Sequence, residues 1–245
     1  DNGSGQLGDE TIVDKSSPIQ TIAGGNNWYD IASGERFMFS IKTNGTLWGW
    51  GQNGNGQLGI ENTSDVSSPI QTICGGTNWK QVSCSGQHSG AIKTDGTLWG
   101  WGYNAYGQLG NGNIISYSSP IQVGSLTNWN QVKCGSKYFL AVKNDGTLWG
   151  CGYNYWGNLG NGTNSTNYSS PIQVGSLTNW QQVSFGFGHM TSVKTDGTLW
   201  AWGYNPDGQL SLNDRVARSS PTQVGAGTTW TSVHAGLQTM SAIKP

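Results

Sequence analysis

Charged residues are scarce in this sequence. They make up 10% of its 245 residues, and the formal net charge is −1. A nucleic-acid-binding domain is expected to carry a basic field, so the composition argues against a nucleic-acid partner. No apolar run reaches the roughly 18 residues that a membrane-spanning helix needs, and we therefore predict no membrane insertion.

The four cysteines and three histidines are too scattered to suggest a zinc site. No two cysteines have Cys-x-x-Cys spacing, which zinc sites commonly use. Cys84 and Cys134 occupy the same position in successive repeats, and we expect them to be buried free thiols. The segment Asp1–Gly5 suggests a calcium loop, but Ile12 stands where such a loop needs Glu. The sequence therefore predicts no metal ion and no cofactor.

One short motif imitates a dinucleotide-binding fingerprint. The stretch Gly54–Gly59 reads GNGQLG and fits the pattern G-x-G-x-x-G. That pattern indicates a nucleotide site only between a strand and a helix. Here a polar loop and then Pro69 follow, which favours a turn leading into a strand.

Glycine and tryptophan are abundant, with 39 and 13 copies, and they recur at a fixed interval. A Gly-Gln-Leu-Gly turn, with small changes, starts at Gly5, Gly56, Gly107, Gly157 and Gly208. A Trp follows each Ser-Ser-Pro element, at Trp28, Trp79, Trp129, Trp180 and Trp230. The period is 50 or 51 residues, which identifies GNGQLG as one copy of a structural turn.

Each repeat predicts four strands. In the second repeat we expect them at Pro69–Cys74, Trp79–Cys84, Ser89–Lys93 and Leu98–Trp101, with a two-residue Asp-Gly hairpin turn at Asp95–Gly96. Four strands in about 50 residues are typical of propeller blades. We therefore predict an all-β protein, a β-propeller of four-stranded blades with five visible repeats, in which residues 1–245 form a single propeller domain. The first and last repeats are incomplete, as expected of part of a larger ring or of a ring whose two ends meet.

The repeat also resembles that of a known family. The segment from Trp79 to Gly110, WKQVSCSGQHSGAIKTDGTLWGWGYNAYGQLG, closely resembles the repeat of the regulator of chromosome condensation family. Its Gly-x-x-His element is intact from Gly186 to His189, whereas Ser85 replaces the glycine before His88. The resemblance implies a propeller, usually of seven blades. The repeat elements Ser-Ser-Pro-Ile-Gln and Lys-Thr-Asp-Gly-Thr-Leu-Trp are similar to those of bacterial or phage-encoded members.

The resemblance implies several functions rather than one. One nuclear member is a guanine-nucleotide exchange factor that also binds chromatin, a bacterial secreted member inhibits β-lactamases, and others are adhesive or scaffolding modules. Our first expectation is a non-catalytic scaffold that binds a protein, or a surface glycan, through variable loops. We expect it in a phage structural or bacterial surface setting, at an extracellular, cell-surface or virion location. The alternatives are an inhibitor of a secreted enzyme such as a β-lactamase and a guanine-nucleotide exchange factor.

Two variable positions interrupt the repeat and predict the partner-binding residues. The first is the position that is His in the family, with the turn before it; it contributes Arg36, Phe37, His88, Lys137, Tyr138, Phe187 and His189. The second is the turn after the Trp-Gly strand, which contributes Tyr106, Tyr155 and Trp156. A rigid frame with changing loop residues is how many proteins present a binding surface.

Each of these positions also has a structural interpretation. Side chains at the His position could pack or form hydrogen bonds within their own blade, and the turn aromatics could cover the edge of a neighbouring blade. No nucleophile, base and orienting group recur together, so we predict no catalytic residues and no enzyme activity. We expect the first Trp of each Leu-Trp strand in the core, at Trp48, Trp99, Trp149 and Trp200.

Overall fold

A computed structural model of the chain describes residues 1–245 as strands, turns and loops. It contains no helix with the length and apolar character that crossing a membrane requires. Four antiparallel sheets of four strands, here called blades 1 to 4, follow one another along the chain, and a two-stranded sheet comes last.

The strands of blades 1 and 2 are β1 (Trp28–Ser33), β2 (Phe37–Lys42), β3 (Leu47–Gly51), β4 (Val66–Gln71), β5 (Trp79–Ser85), β6 (His88–Lys93), β7 (Leu98–Gly102) and β8 (Tyr117–Gln122). Those of blades 3 and 4 are β9 (Trp129–Cys134), β10 (Tyr138–Lys143), β11 (Leu148–Gly152), β12 (Tyr168–Gln173), β13 (Trp180–Phe185), β14 (His189–Lys194), β15 (Leu199–Gly203) and β16 (Arg218–Gln223). The two-stranded sheet consists of β17 (Ser232–Ala235) and β18 (Met240–Ile243). The predicted all-β fold of repeated four-stranded blades is confirmed.

The boundary between blades differs from the predicted one. The segment predicted as the first strand of the second repeat, Pro69–Cys74, enters a strand only with Pro69–Gln71, which belong to β4. This strand pairs with β3, so that Trp48 lies opposite Gln71. It is therefore the outermost strand of blade 1, and the blade ends there. Proline lacks a backbone N–H, and an outermost strand is where a sheet tolerates that loss.

The hairpin between the second and third strands also differs in detail. The nitrogen of Lys93 donates to the carbonyl of Thr97, and the nitrogen of Gly96 donates to the carbonyl of Lys93. Only Gly96 has a positive φ, of 78°. The turn is thus a three-residue loop that ends in a left-handed glycine, rather than the predicted two-residue turn.

The longer loop creates a polar chain that ends on a tryptophan. The carboxylate of Asp95 accepts from the Thr97 hydroxyl at 2.7 Å, and that hydroxyl accepts from Trp99 Nε1 at 2.8 Å. Trp99 is half-buried as a result. The corresponding Trp48, Trp149 and Trp200 are also half-buried. Trp99, Trp149 and Trp200 pack against the buried core clusters, so the prediction that these tryptophans lie in the core is only partly correct.

The core lies between blades rather than inside them. Phe39 and Leu47 of blade 1 pack with Trp79 and Trp101 of blade 2 in one cluster of buried side chains. Similar clusters join blades 2 and 3 and blades 3 and 4. Because blades 2 to 4 bury both faces against neighbouring sheets, the blades hold one another in a fixed order.

The first strand of every unit lies at the axis. Residues of β1, β5, β9, β13 and β17 together line a central channel of about 350 Å³. The turns that follow these inner strands surround the mouth of the channel, and they place the variable residues on one face.

Candidate functional site

A buried asparagine fixes the turn that carries the predicted aromatic residues. In blade 2 this is Asn104, whose Oδ1 accepts from the nitrogen of Leu109 at 2.9 Å. Its Nδ2 donates to the carbonyls of Asn113 and Ile115 at 3.1 and 2.9 Å. The amide therefore joins both ends of a long loop, and the side chain of Tyr106 is presented from a rigid backbone.

The same asparagine recurs in the other blades. Asn53, Asn154 and Asn205 are fully buried, and each accepts from the leucine five residues later at 2.9 Å. The surface side chains beside it change from blade to blade, whereas this internal bonding does not. The turns thus form a series of similar supports that carry different residues.

The turn residues of blades 2 to 4 meet in a continuous aromatic surface. We call this surface the aromatic belt, and it consists of Tyr103, Tyr106, Tyr153, Tyr155, Trp156, Phe187 and Tyr204. Neighbouring ring centroids are 5.4 Å apart for Tyr106 and Tyr153 and 5.7 Å apart for Tyr153 and Trp156, both with an edge-to-face geometry. Trp156 then contacts Tyr204 at 4.8 Å. These spacings fall in the range where aromatic pairs attract one another.

Two members of the belt remain open to solvent. Tyr155 is 56% exposed and Phe187 is 53% exposed. Tyr155 stacks on Tyr153 with ring centroids 6.2 Å apart, and Phe187 lies 5.7 Å from Trp156. The belt therefore has a preformed base and exposed rings that a partner can cover.

Lys137 places one positive charge on the belt. Its Nζ lies 4.8 Å from the ring centroid of Tyr106 and 5.5 Å from that of Tyr153. Burial raises the pKa of Tyr153, and the charge of Lys137 opposes that rise. The lysine lies over two ring faces, where cation–π attraction holds it in place.

The belt reaches the mouth of the channel through Phe187. This residue lines a depression of about 690 Å³ at the axis, together with Glu35, Gly86, Ser136 and Leu237 from the other units. Glycine and serine predominate in the inner turns there. A partner on the belt therefore has a wide, shallow opening next to it.

Five of the ten predicted partner-binding residues come together at the belt. Four belong to it, namely Tyr106, Tyr155, Trp156 and Phe187, and the fifth, Lys137, lies over its rings. Arg36 is exposed but lies on blade 1, where the equivalent turn carries Gln52 and Asn55 and no aromatic residue.

The other four lie in the contacts between blades, which corrects their predicted role. Phe37, His88, Tyr138 and His189 are all at most 1% exposed, so a partner cannot reach them. The expected alternative, contacts within their own blade, is also incomplete. The Tyr138 hydroxyl donates to the carbonyl of Gly186 at 3.3 Å, and His189 Nε2 lies 3.3 Å from the carbonyl of Thr239, each in the following unit.

The Gly-x-x-His element has a steric explanation in this structure. A Cβ added at Gly186 would lie 2.2 Å from the His189 ring, and one added at Gly135 would lie 2.2 Å from the Tyr138 ring. The ring folds back over the glycine three residues earlier, which leaves no room for a side chain. This element therefore positions the inner turn.

Sequence reasoning did not select Tyr103, Tyr153 and Tyr204 as site residues. Each follows the glycine that ends the third strand in its blade, whereas Gln52 occupies that position in blade 1. The recurrence of tyrosine at this position in three consecutive blades was the available signal. The sequence does not show what this tyrosine does, because its role depends on the contacts of the Tyr153 ring with Tyr106 and Trp156.

Comparisons with solved structures show the same fold over most of the chain. A crystal structure of human WBSCR16 matches all of this chain and 66% of its own chain, with a TM-score of 0.85 and 23% identity. That of Prp20p from Saccharomyces cerevisiae, described with its binding properties to Gsp1p and histones, matches 89% of this chain and 56% of its own. Its TM-score is 0.79 at 19% identity.

Sequence comparison gives a nearer relative and a family model. The ultraviolet-B receptor UVR8 of Arabidopsis thaliana is 32% identical over 218 residues, which are 86% of this chain and 49% of the relative. The chain thus spans about half the length of that relative. These relatives come from a plant, a human and a yeast, and they give no support to the bacterial or phage origin that we expected. The model of the RCC1-like domain matches residues 1–242, and the chain therefore belongs to the RCC1-like domain family.

Proposed function

We propose that this chain is a non-catalytic scaffold that binds a protein partner through the aromatic belt. The observation that carries the proposal is the run of touching rings across blades 2 to 4, with Tyr155 and Phe187 more than half exposed. Tyrosine and tryptophan are enriched among the residues that dominate protein–protein binding energy. Their rings supply large contact areas at a small cost in side-chain entropy.

A protein fits this surface better than a glycan. The belt is a broad surface beside a shallow depression of about 690 Å³, and it extends over three blades. Ligand pockets for small molecules are instead concave and enclose most of the ligand. The yeast relative in fold is described as binding two kinds of protein, which supports the same choice. Binding to a surface glycan is the competing outcome of the test.

The test compares capture of a partner by the wild type and by two matched double variants. The belt variant is Tyr155→Ala with Trp156→Ala. The control variant is Gln52→Ala with Asn55→Ala, which changes the equivalent turn of blade 1. Each protein is immobilised, exposed to an extract of its source cells and analysed by mass spectrometry, and circular dichroism checks that each is folded.

We expect one protein to be retained at stoichiometric levels by the wild type and the control, and to be lost from the belt variant. Direct binding to the purified partner should then weaken by at least about tenfold, the equivalent of 1.4 kcal/mol. Equal retention by the belt variant contradicts the proposal. Retention of glycans alone on an array favours the competing outcome.

The finer functions within this proposal need their own assays. Exchange activity would accelerate nucleotide release from a small GTPase, and inhibition would abolish β-lactamase activity in a one-to-one complex. An extracellular, cell-surface or virion location also stays a prediction, which fractionation of the source cells checks.

A further inference from the structure

Side chains of the inner strands form hydrogen bonds across the contacts between blades. Between blades 2 and 3, Gln81 Oε1 accepts from the nitrogen of Val132 at 2.9 Å, and Ser83 Oγ accepts from the nitrogen of Cys134 at 3.0 Å. The same pair recurs after blade 4. There, the side chains of Gln182 and Ser184 accept from the nitrogens of Val233 and Ala235 at 3.2 and 3.0 Å.

Neither bond is made between blades 3 and 4. The position of the serine is occupied by Lys133, which has no acceptor atom. The equivalent glutamine is Gln131, whose Oε1 is buried without a hydrogen-bond partner. The inner strands β9 and β13 make almost no direct contact there, whereas β5 packs closely on β9 and β13 on β17.

Two backbone N–H groups of β13 are consequently left without a side-chain acceptor. Val183 pairs with Ser192 in the same register in which Val132 pairs with Ala141. The N–H groups of Val183 and Phe185 therefore point away from β14, as those of Val132 and Cys134 point away from β10. The equivalent N–H groups of Val132, Cys134, Val233 and Ala235 each donate to a Gln or Ser side chain of the preceding blade.

Lys133 places a positive charge at the contact between blades 3 and 4. Lys133 lines the central channel beside Ser184 and Phe185, and it is the one Lys or Arg side chain among the residues that line it. The channel's carboxylate, Asp30, belongs to blade 1 and already accepts from the nitrogen of Val82. Lys133 thus lines the same channel of about 350 Å³ as Val183 and Phe185, whose N–H groups have no side-chain acceptor.

We propose that this gap is a carboxylate-binding site, formed by Lys133 and the N–H groups of Val183 and Phe185. A carboxylate offers two acceptor oxygens, which replace the glutamine and serine oxygens present at the other contacts. Charge-assisted hydrogen bonds to a carboxylate are stronger than neutral ones, and Lys133 neutralises the ligand's charge. The carboxylate can belong to a small free acid or to the end of a peptide chain.

The contact between blades 1 and 2 shows why the lysine is needed. Ala32 stands in the serine position there, so the nitrogen of Cys84 also lacks a side-chain acceptor. However, Asp30 supplies negative charge at that contact and β1 packs directly on β5. No carboxylate is expected to bind at that place, and Cys84 serves as an internal control.

The test follows backbone amide signals by nuclear magnetic resonance during addition of sodium acetate at constant ionic strength. We expect the signals of Val183 and Phe185 to shift and saturate with acetate and to stay unchanged with acetamide. Those of Val132, Cys134 and Cys84 should stay unchanged with both. Triglycine and triglycinamide distinguish the two sources. A response to triglycine but not to its amide assigns the site to peptide termini, and a response to acetate alone assigns it to small acids.

Two substitutions complete the test. Lys133→Ser restores the residue found in blades 2 and 4, and Lys133→Met keeps the length of the side chain without its charge. Both should weaken acetate binding by at least about tenfold. The proposal is overturned if acetate shifts the two signals no more than acetamide does, or if the shifts persist in the Lys133→Met variant.

Discussion

The ammonium group of Lys143 lies 3.7 Å from the ring centroid of Trp149 and 4.9 Å from that of Trp129. Lys143 is only 7% exposed, and its charge is held between two indole faces rather than by an ion pair. Equivalent lysines in the other blades, Lys42, Lys93 and Lys194, make the same pair of contacts. Each blade therefore uses one lysine to join the tryptophans of its first and third strands.

Replacing Lys143 by Met should destabilise the protein. The substitution keeps an apolar side chain between Trp129 and Trp149 but removes the cation, so we expect a loss of about 1–2 kcal/mol in the free energy of unfolding. Urea unfolding followed by tryptophan fluorescence measures it. Lys80→Met is the matched control, because Lys80 is exposed, and it should change stability by less than about 0.5 kcal/mol. Equal effects of the two substitutions would exclude the cation–π explanation.

Two glycines in the same motif should respond differently to alanine. Gly107 and Gly208 have φ values of 78° and 81°, so each Gly→Ala substitution costs about 1–2 kcal/mol in backbone conformation. A Cβ at Gly107 would also lie 2.5 Å from the Cα of Ser169, whereas one at Gly208 has no atom within 4 Å. We expect Gly107→Ala to cost at least about 1 kcal/mol more than Gly208→Ala in denaturant unfolding. Identical costs would show that the turn is not pressed against the neighbouring strand.

Acid should weaken the protein through His88. Burial lowers the pKa of His88 to about 4, although the nearby backbone of Tyr138 acts in the opposite direction. The unfolded chain, with a histidine pKa of about 6.5, binds more protons between these values. Stability is therefore complete above about pH 6.5 and falls as the pH approaches 4, by roughly 3 kcal/mol.

The variant His88→Phe isolates this contribution, because Phe37 already fills the same position in blade 1. Comparing urea unfolding at neutral and acidic pH, we expect the decrease to be smaller in this variant than in the wild type. The exposed His234 supplies the control, and His234→Gln should keep the full decrease. An unchanged pH dependence in His88→Phe would contradict the assignment.

The four thiols should differ in reactivity. All are free, and Cys84, Cys134 and Cys151 are buried whereas Cys74 is half-buried. Burial raises the pKa of Cys134 to about 12 and that of Cys74 to a smaller degree. Since the thiolate is the reactive form, a disulfide reagent should label Cys74 first in the native protein and the other three only on unfolding. Labelling of Cys134 at the rate of Cys74 in native conditions would contradict this order.

The repeat predicted most of the fold because equal spacing of Gly and Trp requires equal structural units. It could not place the boundary of a blade, because the sequence around Pro69 does not indicate whether this segment pairs with the strand before it or with the strand after it. That boundary depends on whether the loop after Gly59 returns along Leu47–Gly51, which is a tertiary pairing. The turn at Asp95–Gly96 was misjudged because Asp-Gly suits both two-residue and three-residue hairpins.

The candidate site was predicted in its residue types but not in its arrangement. Tyr155 and Trp156 stood out because two aromatic residues replace small or polar ones in an otherwise constant turn. The contact between Tyr106 and Tyr153 depends on the angle between two blades, which residue spacing does not encode. For the same reason, the packing of His88 and Tyr138 was expected within their own blade, whereas their neighbours belong to the following one.

The buried amide of Asn104 and its counterparts has a consequence for how binding preference changes. Because the backbone of each turn is tied from within, we expect mutations at the adjacent positions to disturb folding little. Residues 105–106, 155–156 and 206–207 should therefore diversify by single substitutions with the turn backbone retained. The same pairs of positions are suitable for a randomised library that selects new specificities on an unchanged framework.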